Sequence, residues 1–333
     1  MRRKLLSVVL CVCMMMTMAP FAFAAGTDTG SNTEESGTSI PANSSSGAGG
    51  DAGSVSTSTT NTITNETDLK TALNNASDGD TITISDTIYI NAPLVITKTV
   101  TLTGGSIIAS DSFNANSNEL AVANLVSLKT ADKTLTLKDI TLNGNGKALV
   151  VYSNAGKVVV DGATITGGKT NSYVAGVYMT NASQFEMNSG SITGNEVGDD
   201  YKNDGYTQYA SDLWIGANAN GALTSINGGT IGNIFVNSNA WSASNPGGFT
   251  MTDGNVENLY VEYDDGYGAS FTYQGGIIDN LYISTTNGNG DCKKVTPVIG
   301  MAYVGGQTNE ETTTPVAKID ETGYATLANA VAM

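Results

Sequence analysis

The chain has 333 residues with 39 glycines, three cysteines and no histidine, and 15 basic side chains stand against 31 acidic ones. Its two arginines are Arg2 and Arg3. That composition excludes Ser-His-Asp and Cys-His catalytic sets, histidine metal centres and arginine clamps on phosphate or carboxylate, and it lacks the basic footprint of a nucleic-acid binder.

In chain order, residues 1–24 open with Arg2-Arg3-Lys4, continue through an apolar run from Leu5 to Met18 and end on Ala22-Phe23-Ala24. This is the pattern of a secretory signal, and the run falls short of the ~20 apolar residues that cross a bilayer. The expectation is a secreted chain, extracellular or at the cell surface, with no transmembrane segment once processed. Its mature part would hold 12 lysines against 31 acids, a net charge of −19, with Cys292 as the sole cysteine. One cysteine has no internal disulfide partner, so a buried thiol is expected. Residues 25–60 are Gly, Ser or Thr at 23 of 36 positions. They carry too little apolar surface to offset their ordering entropy and read as a flexible linker.

Leu69, Ala72, Leu73 and Ala76 then share one face of a helix over 68–76, with Thr67 or Asp68 as its cap. From 61 to 310 the chain repeats a unit of alternating apolar residues, a turn, a small residue and an aliphatic anchor. The anchors are Ile107, Leu142, Ile165, Ile192, Ile231, Val256 and Ile278. Inward positions seven and five residues before each anchor are apolar in all but one case, Thr224. Period two means strands, and a strand motif recurring every twenty-odd residues means a solenoid of stacked coils. Six of the seven positions two before the anchor are Gly or Ala, Ile140 being the exception. A second strand follows each anchor, clearest in Ile234-Phe-Val236, Leu259-Tyr-Val261 and Leu281-Tyr-Ile283. Asn233, Asn258 and Asn280 precede these at one offset and are expected to stack at a corner, amide on amide.

These residues resemble secreted and cell-surface bacterial parallel β-helix proteins of the pectin-lyase-like superfamily. Gln184-Phe-Glu-Met-Asn-Ser-Gly-Ser-Ile-Thr-Gly-Asn195 is similar to the rung phrase of their adhesin-like members. The resemblance covers about 250 residues. It implies an all-β fold, a right-handed parallel β-helix solenoid with a short N-terminal capping helix. Residues 311–333 are read as a C-terminal cap or the start of a further module. Asp320–Ala330 echoes Asn65–Asn75 and resembles the opening helix of another β-helix.

Two rungs are lengthened just past their anchors, after Ile107 and after Ile192, about 14 Å apart along one edge. The first insertion is Ser/Asn-rich. The second holds Tyr201, Tyr206 and Tyr209 with Asp199, Asp200, Lys202 and Asp204, and leads into Asp212-Leu-Trp-Ile215. Alternation turns Tyr178, Trp214, Phe235, Tyr260 and Tyr282 outward on one face in five consecutive rungs. Such a ladder suits the apolar faces of sugar rings, and the same pattern also arises from cross-strand stacking or burial beneath loops. The expected function is non-catalytic adhesion or binding of an extracellular glycan or cell-surface ligand, through this face and the 195–211 loop. Two alternatives stand beside it. One is a polysaccharide lyase or glycosidase using Asp199, Asp200, Lys202 and Asp204; the other is a structural stalk. No cofactor is called for. Calcium has only a weak signal, because Asp200–Gly205 misses EF-hand spacing and Asn287–Asp291 is a single glycine-rich turn.

Overall fold

The computed structural model describes residues 63–114, 124–170, 174–180, 183–199, 207–216, 224–238, 246–264, 266–286, 291–306, 315, 317–319 and 322–325. The signal and linker segments read from the sequence lie outside these residues.

The described chain is all-β apart from one helix and a 3-10 turn, and it is wound as a parallel β-helix-like solenoid. On most strands inward Val, Ile, Leu and Phe alternate with outward Thr, Ser and Lys, giving the strand one face to bury and one to solvate. Eight rungs stack in parallel, each contributing to three faces. The first face runs from Asp80–Thr83 through Val100–Thr103, Thr134–Lys138, Lys157–Asp161 and Gln184–Met187. The second runs from Thr87–Ile90 through Ser106–Ala109, Thr141–Asn143, Ala163–Thr166 and Gly190–Ile192. The third contains Leu94–Ile96, Asn124–Leu128, Leu149–Ser153, Val177–Met179 and Leu213–Ile215. In rungs six and seven the three faces merge into single long strands, Ser225–Val236 and Gly248–Val261. The eighth is Ser270–Tyr273 with Ile277–Ser284.

All seven anchors lie in one column, each paired with the next: Ile107, Leu142, Ile165, Ile192, Ile231, Val256 and Ile278. Ile88 adds a first rung ahead of them, paired with Ile107. That rung escapes the repeat because its corner is one residue longer. Asp80 pairs with Val100, yet Ile88 follows Asp80 by one residue more than Ile107 follows Val100.

The corner before each anchor needs a left-handed backbone residue. At Gly190 φ is +100°, and an added Cβ would stand 2.2 Å from the Ala163 carbonyl oxygen. In rungs three and four that conformation moves one residue earlier, to Asp139 (φ 47°) and Gly162 (φ 80°). The next position is then free to point inward, and Ile140 and Ala163 are buried there. Gly190→Ala is therefore expected to cost about 1–3 kcal/mol of strain, read as a lowered midpoint of urea denaturation.

A solenoid must cover its ends. At the start, the helix Glu66–Asn75 seats Leu69 and Leu73 on the first rung. It begins two residues earlier than the sequence suggests, and the cap is Asn65, whose Oδ1 accepts the Asp68 N–H at 2.9 Å. The Glu66 carboxylate accepts both the backbone and side-chain N–H groups of Asn91, tying the helix to the rung beneath. At the other end the chain reverses. Cys292–Val295 pairs antiparallel with Ile277–Ser284, and Met301–Val304 with Ser270–Tyr273, so the last rung's edge is hydrogen-bonded. Tyr303 and Tyr324 close the core there. Burial pushes the Tyr303 hydroxyl up to about 12, and that hydroxyl accepts the Val298 N–H at 2.7 Å. The echo of the opening helix at 320–330 does not form a helix where it is described. Thr322–Tyr324 is a strand, paired parallel with Val298–Ile299 and antiparallel with Ala317–Ile319. Glycine at 323 and the pull of a strand partner override the helical pattern.

Candidate functional site

The outward positions of the third face do form one column. Tyr152 pairs with Tyr178, Tyr178 with Trp214, Trp214 with Phe235, Phe235 with Tyr260 and Tyr260 with Tyr282. Tyr152 extends the expected ladder by one rung. Its signal is weak because it ends the apolar run Leu149-Val-Val-Tyr152, where alternation is obscured. Trp214 and Phe235 stack at 4.5 Å and 11°, Phe235 and Tyr260 at 4.9 Å and 25°. Tyr178 meets Trp214 edge-on at 6.0 Å, and Lys129 Nζ stands 5.6 Å from the Tyr152 ring centre.

The expectation of an exposed face is corrected by burial. Phe235 and Tyr260 are 1% and 0% exposed, and Trp214 is 8% exposed. They form a second hydrophobic cluster outside the coil, with Leu149, Val174 and Ala210. The cover comes from corner loops between the second and third faces. Val174 comes from the fourth rung's loop, and Tyr209 and Ala210 from the fifth's, where Thr207–Ala210 is a 3-10 turn. The Tyr209 ring lies 6.1 Å and 16° from Tyr260 and 5.1 Å and 22° from Tyr282. Tyr178, Tyr209 and Tyr282 are half-buried at the margins of the cluster. Cys292 is also half-buried there, so the thiol expected in the interior sits at its edge. Asp199 is exposed at the start of the long loop. Asp200, Tyr201, Lys202, Asp204 and Tyr206 lie outside the described residues, as does most of the 287–291 turn.

Beside the aromatics, two residues back along each strand, runs the polar corner column. Asn258 Nδ2 donates to Asn233 Oδ1 at 2.8 Å, and Asn280 Nδ2 to Asn258 Oδ1 at 3.0 Å. Lys294 Nζ donates to Asn280 Oδ1. The amide stack expected from the sequence is present. In the fifth rung the equivalent position is Asp212, and this buried acid is the residue that sequence reasoning passed over. Its Oδ1 accepts from the backbone N–H and side-chain amide of Asn195, at 3.2 and 2.8 Å. Its Oδ2 accepts from the Asn233 backbone and side-chain N–H groups, at 2.9 and 3.2 Å, and from Ser211 Oγ at 3.3 Å. Gly232 leaves room for that oxygen, since a Cβ there would stand 2.5 Å from it. Burial pushes the Asp212 carboxyl up, against the pull of these donors. Asn195 opens the long loop and Asp212 closes it, so their bond is the loop's clasp. The usable signal was positional: Asp212 precedes an inward aliphatic by one residue, as Asn233, Asn258 and Asn280 do.

A second buried acid, Glu262, sits at the opposite corner. Its Oε2 accepts Asn237 Nδ2 at 2.7 Å, the Ser238 N–H at 2.8 Å and Ser238 Oγ at 3.0 Å. Burial pushes its carboxyl up, the Ser238 donors oppose this, and Asp264 adds to the rise. A carboxyl raised by folding stabilises the fold most below its unfolded value of about 4.3, and the contribution is lost as pH climbs through the folded value. Glu262→Gln keeps an acceptor and removes the titration. The decline in Tm as pH rises above the unfolded value should therefore be shallower in the variant, as thermal melts across a pH series will read.

Among the described residues, no group of three or more Cys, Asp or Glu side chains is placed to hold a metal ion, and no helix is long and apolar enough to cross a membrane. No family model matches the chain. No curated protein and no solved structure matches it significantly.

Proposed function

We propose that this chain is a secreted or surface-displayed β-helix of the pectin-lyase-like kind that binds extracellular glycans without catalysis. The supporting observation is the third face beside its loop-bearing corner. There the half-buried rings of Tyr178, Tyr209 and Tyr282 flank a packed aromatic column, with a parallel column of amides two residues away. Aromatic surface for the apolar face of a sugar next to amides for its hydroxyls is the chemistry of glycan recognition. The buried rings Trp214, Phe235 and Tyr260 hold this surface rigid, and the marginal rings of Tyr178 and Tyr282 make the contact. Both strongly buried acids, Asp212 and Glu262, are engaged by donors in the scaffold, which favours binding over acid–base chemistry for them. A glycan array probed with the full chain tests the reading. Binding that weakens at least tenfold in Tyr178→Ala or Tyr282→Ala supports it, and a blank array sinks it.

A further inference from the structure

We propose that Tyr209 fills a ring-binding slot on the aromatic column, and that a pyranose of a bound glycan takes this slot in its place. This rests on the glycan-binding reading above and names its subsite. The column rings Tyr152, Tyr178, Trp214, Phe235, Tyr260 and Tyr282 are placed by strand register. Tyr209 belongs to no rung. It comes from the Thr207–Ala210 turn of a corner loop, yet its plane is within 22° of both Tyr260 and Tyr282. A loop side chain thus extends a stack that the strands build.

The slot has the two chemistries that a pyranose needs. Its walls are the Tyr260 and Tyr282 ring faces, which suit the apolar C–H face of a sugar. Along its side run Asn258 and Asn280, whose amide oxygens each accept one bond within the column and keep a second lone pair for an equatorial hydroxyl. A pyranose chair is somewhat thicker and broader than a phenol ring, so the turn that carries Tyr209, and not the rungs, gives way to admit it. Asn195 and Asp212 hold the ends of the loop, so exchange moves the turn and leaves the rungs in register. Tyr209 itself is only half-buried, and it covers Tyr260, which is fully buried. Its removal takes away the ring stacked on Tyr260 and on Tyr282.

The test compares the full chain with Tyr209→Ala, Tyr209→Phe and the double variant Tyr209→Ala/Tyr282→Ala. Each is read on the same glycan array and by fluorescence titration with anilinonaphthalene sulfonate, and circular dichroism checks that each has folded. The expected result is at least tenfold tighter binding of both probes by Tyr209→Ala, lost again in the double variant. Tyr209→Phe keeps the ring in place and should behave as wild type. If wild type binds array glycans and Tyr209→Ala binds them no tighter, the slot is overturned while the glycan-binding reading stands. If the array is blank for both, the glycan-binding reading and the pyranose fall together, whatever the dye shows. A dye affinity unchanged by Tyr209→Ala overturns the slot directly.

Discussion

Tyr260→Ala is expected to destabilise the protein by about 3–5 kcal/mol. Tyr260 is an outward residue of a solenoid strand, a position where truncation ordinarily changes stability by less than about 0.5 kcal/mol. Here the side chain is fully buried, stacked at 4.9 Å on Phe235 and at 6.1 Å on Tyr209. Removing it loses the burial of a large ring, leaves a cavity in the second cluster and deletes two aromatic contacts worth about 0.5–1.5 kcal/mol each. Tyr282→Ala, at the half-buried margin, should cost well under half as much. Urea denaturation monitored by tryptophan fluorescence and by circular dichroism reads both. A loss for Tyr260→Ala below about 1 kcal/mol would mean that the outer cluster is not packed as described.

Asp212→Ala should be comparably severe, at about 3–5 kcal/mol. Two oxygens accept five hydrogen bonds from Asn195, Asn233 and Ser211, and alanine leaves those donors facing one another. Each buried donor left without a partner costs about 1–3 kcal/mol, reduced where water enters the space. Asp212→Asn preserves shape and one acceptor but turns an amide N–H toward donors, so it should recover only part of the loss. Loss of the clasp also frees the loop that carries Tyr209. Hydrogen exchange should therefore quicken across 207–210 before it does in the rungs. Equal stability of wild type and Asp212→Ala would refute the assignment of this carboxylate as the clasp.

The rungs were legible because a coil of this kind puts its core into the spacing of the sequence. Every anchor from Ile107 to Ile278 lands in one column, as does every outward aromatic from Tyr178 to Tyr282. Period two says which way a side chain points. It does not say what lies over it. Trp214, Phe235 and Tyr260 point outward as the alternation requires and are nonetheless buried, because corner loops of the fourth and fifth rungs fold across them. That placement depends on the path of an irregular segment, which leaves no period to read. The first rung hid for a related reason, since one extra corner residue breaks the count at Ile88. Asp212 and Glu262 were hidden because burial of an acid shows only once its donors are assembled around it. At the C-terminal end, similarity to the opening helix pointed to a helix, whereas the available hydrogen-bonding partner, Val298–Ile299, selects a strand.

The corner column of amides has a direction. Lys294 donates to Asn280, Asn280 to Asn258, Asn258 to Asn233, and Asn233 to Asp212. Every link points the same way, from an ammonium that can only donate to a carboxylate that, when ionised, can only accept. The two ends therefore set the orientation of everything between them. Turning over one amide would put oxygen against oxygen at one step and N–H against N–H at the other, so the chain must reverse as a whole or not at all. Each bond polarises the next, and the row acts as a string of aligned dipoles with its positive pole toward Asp212. The buried carboxylate is thus joined to a cation several rungs away through uncharged side chains. One end of this polar chain lies at the strand that closes the solenoid, and the other at the loop that covers its aromatic face.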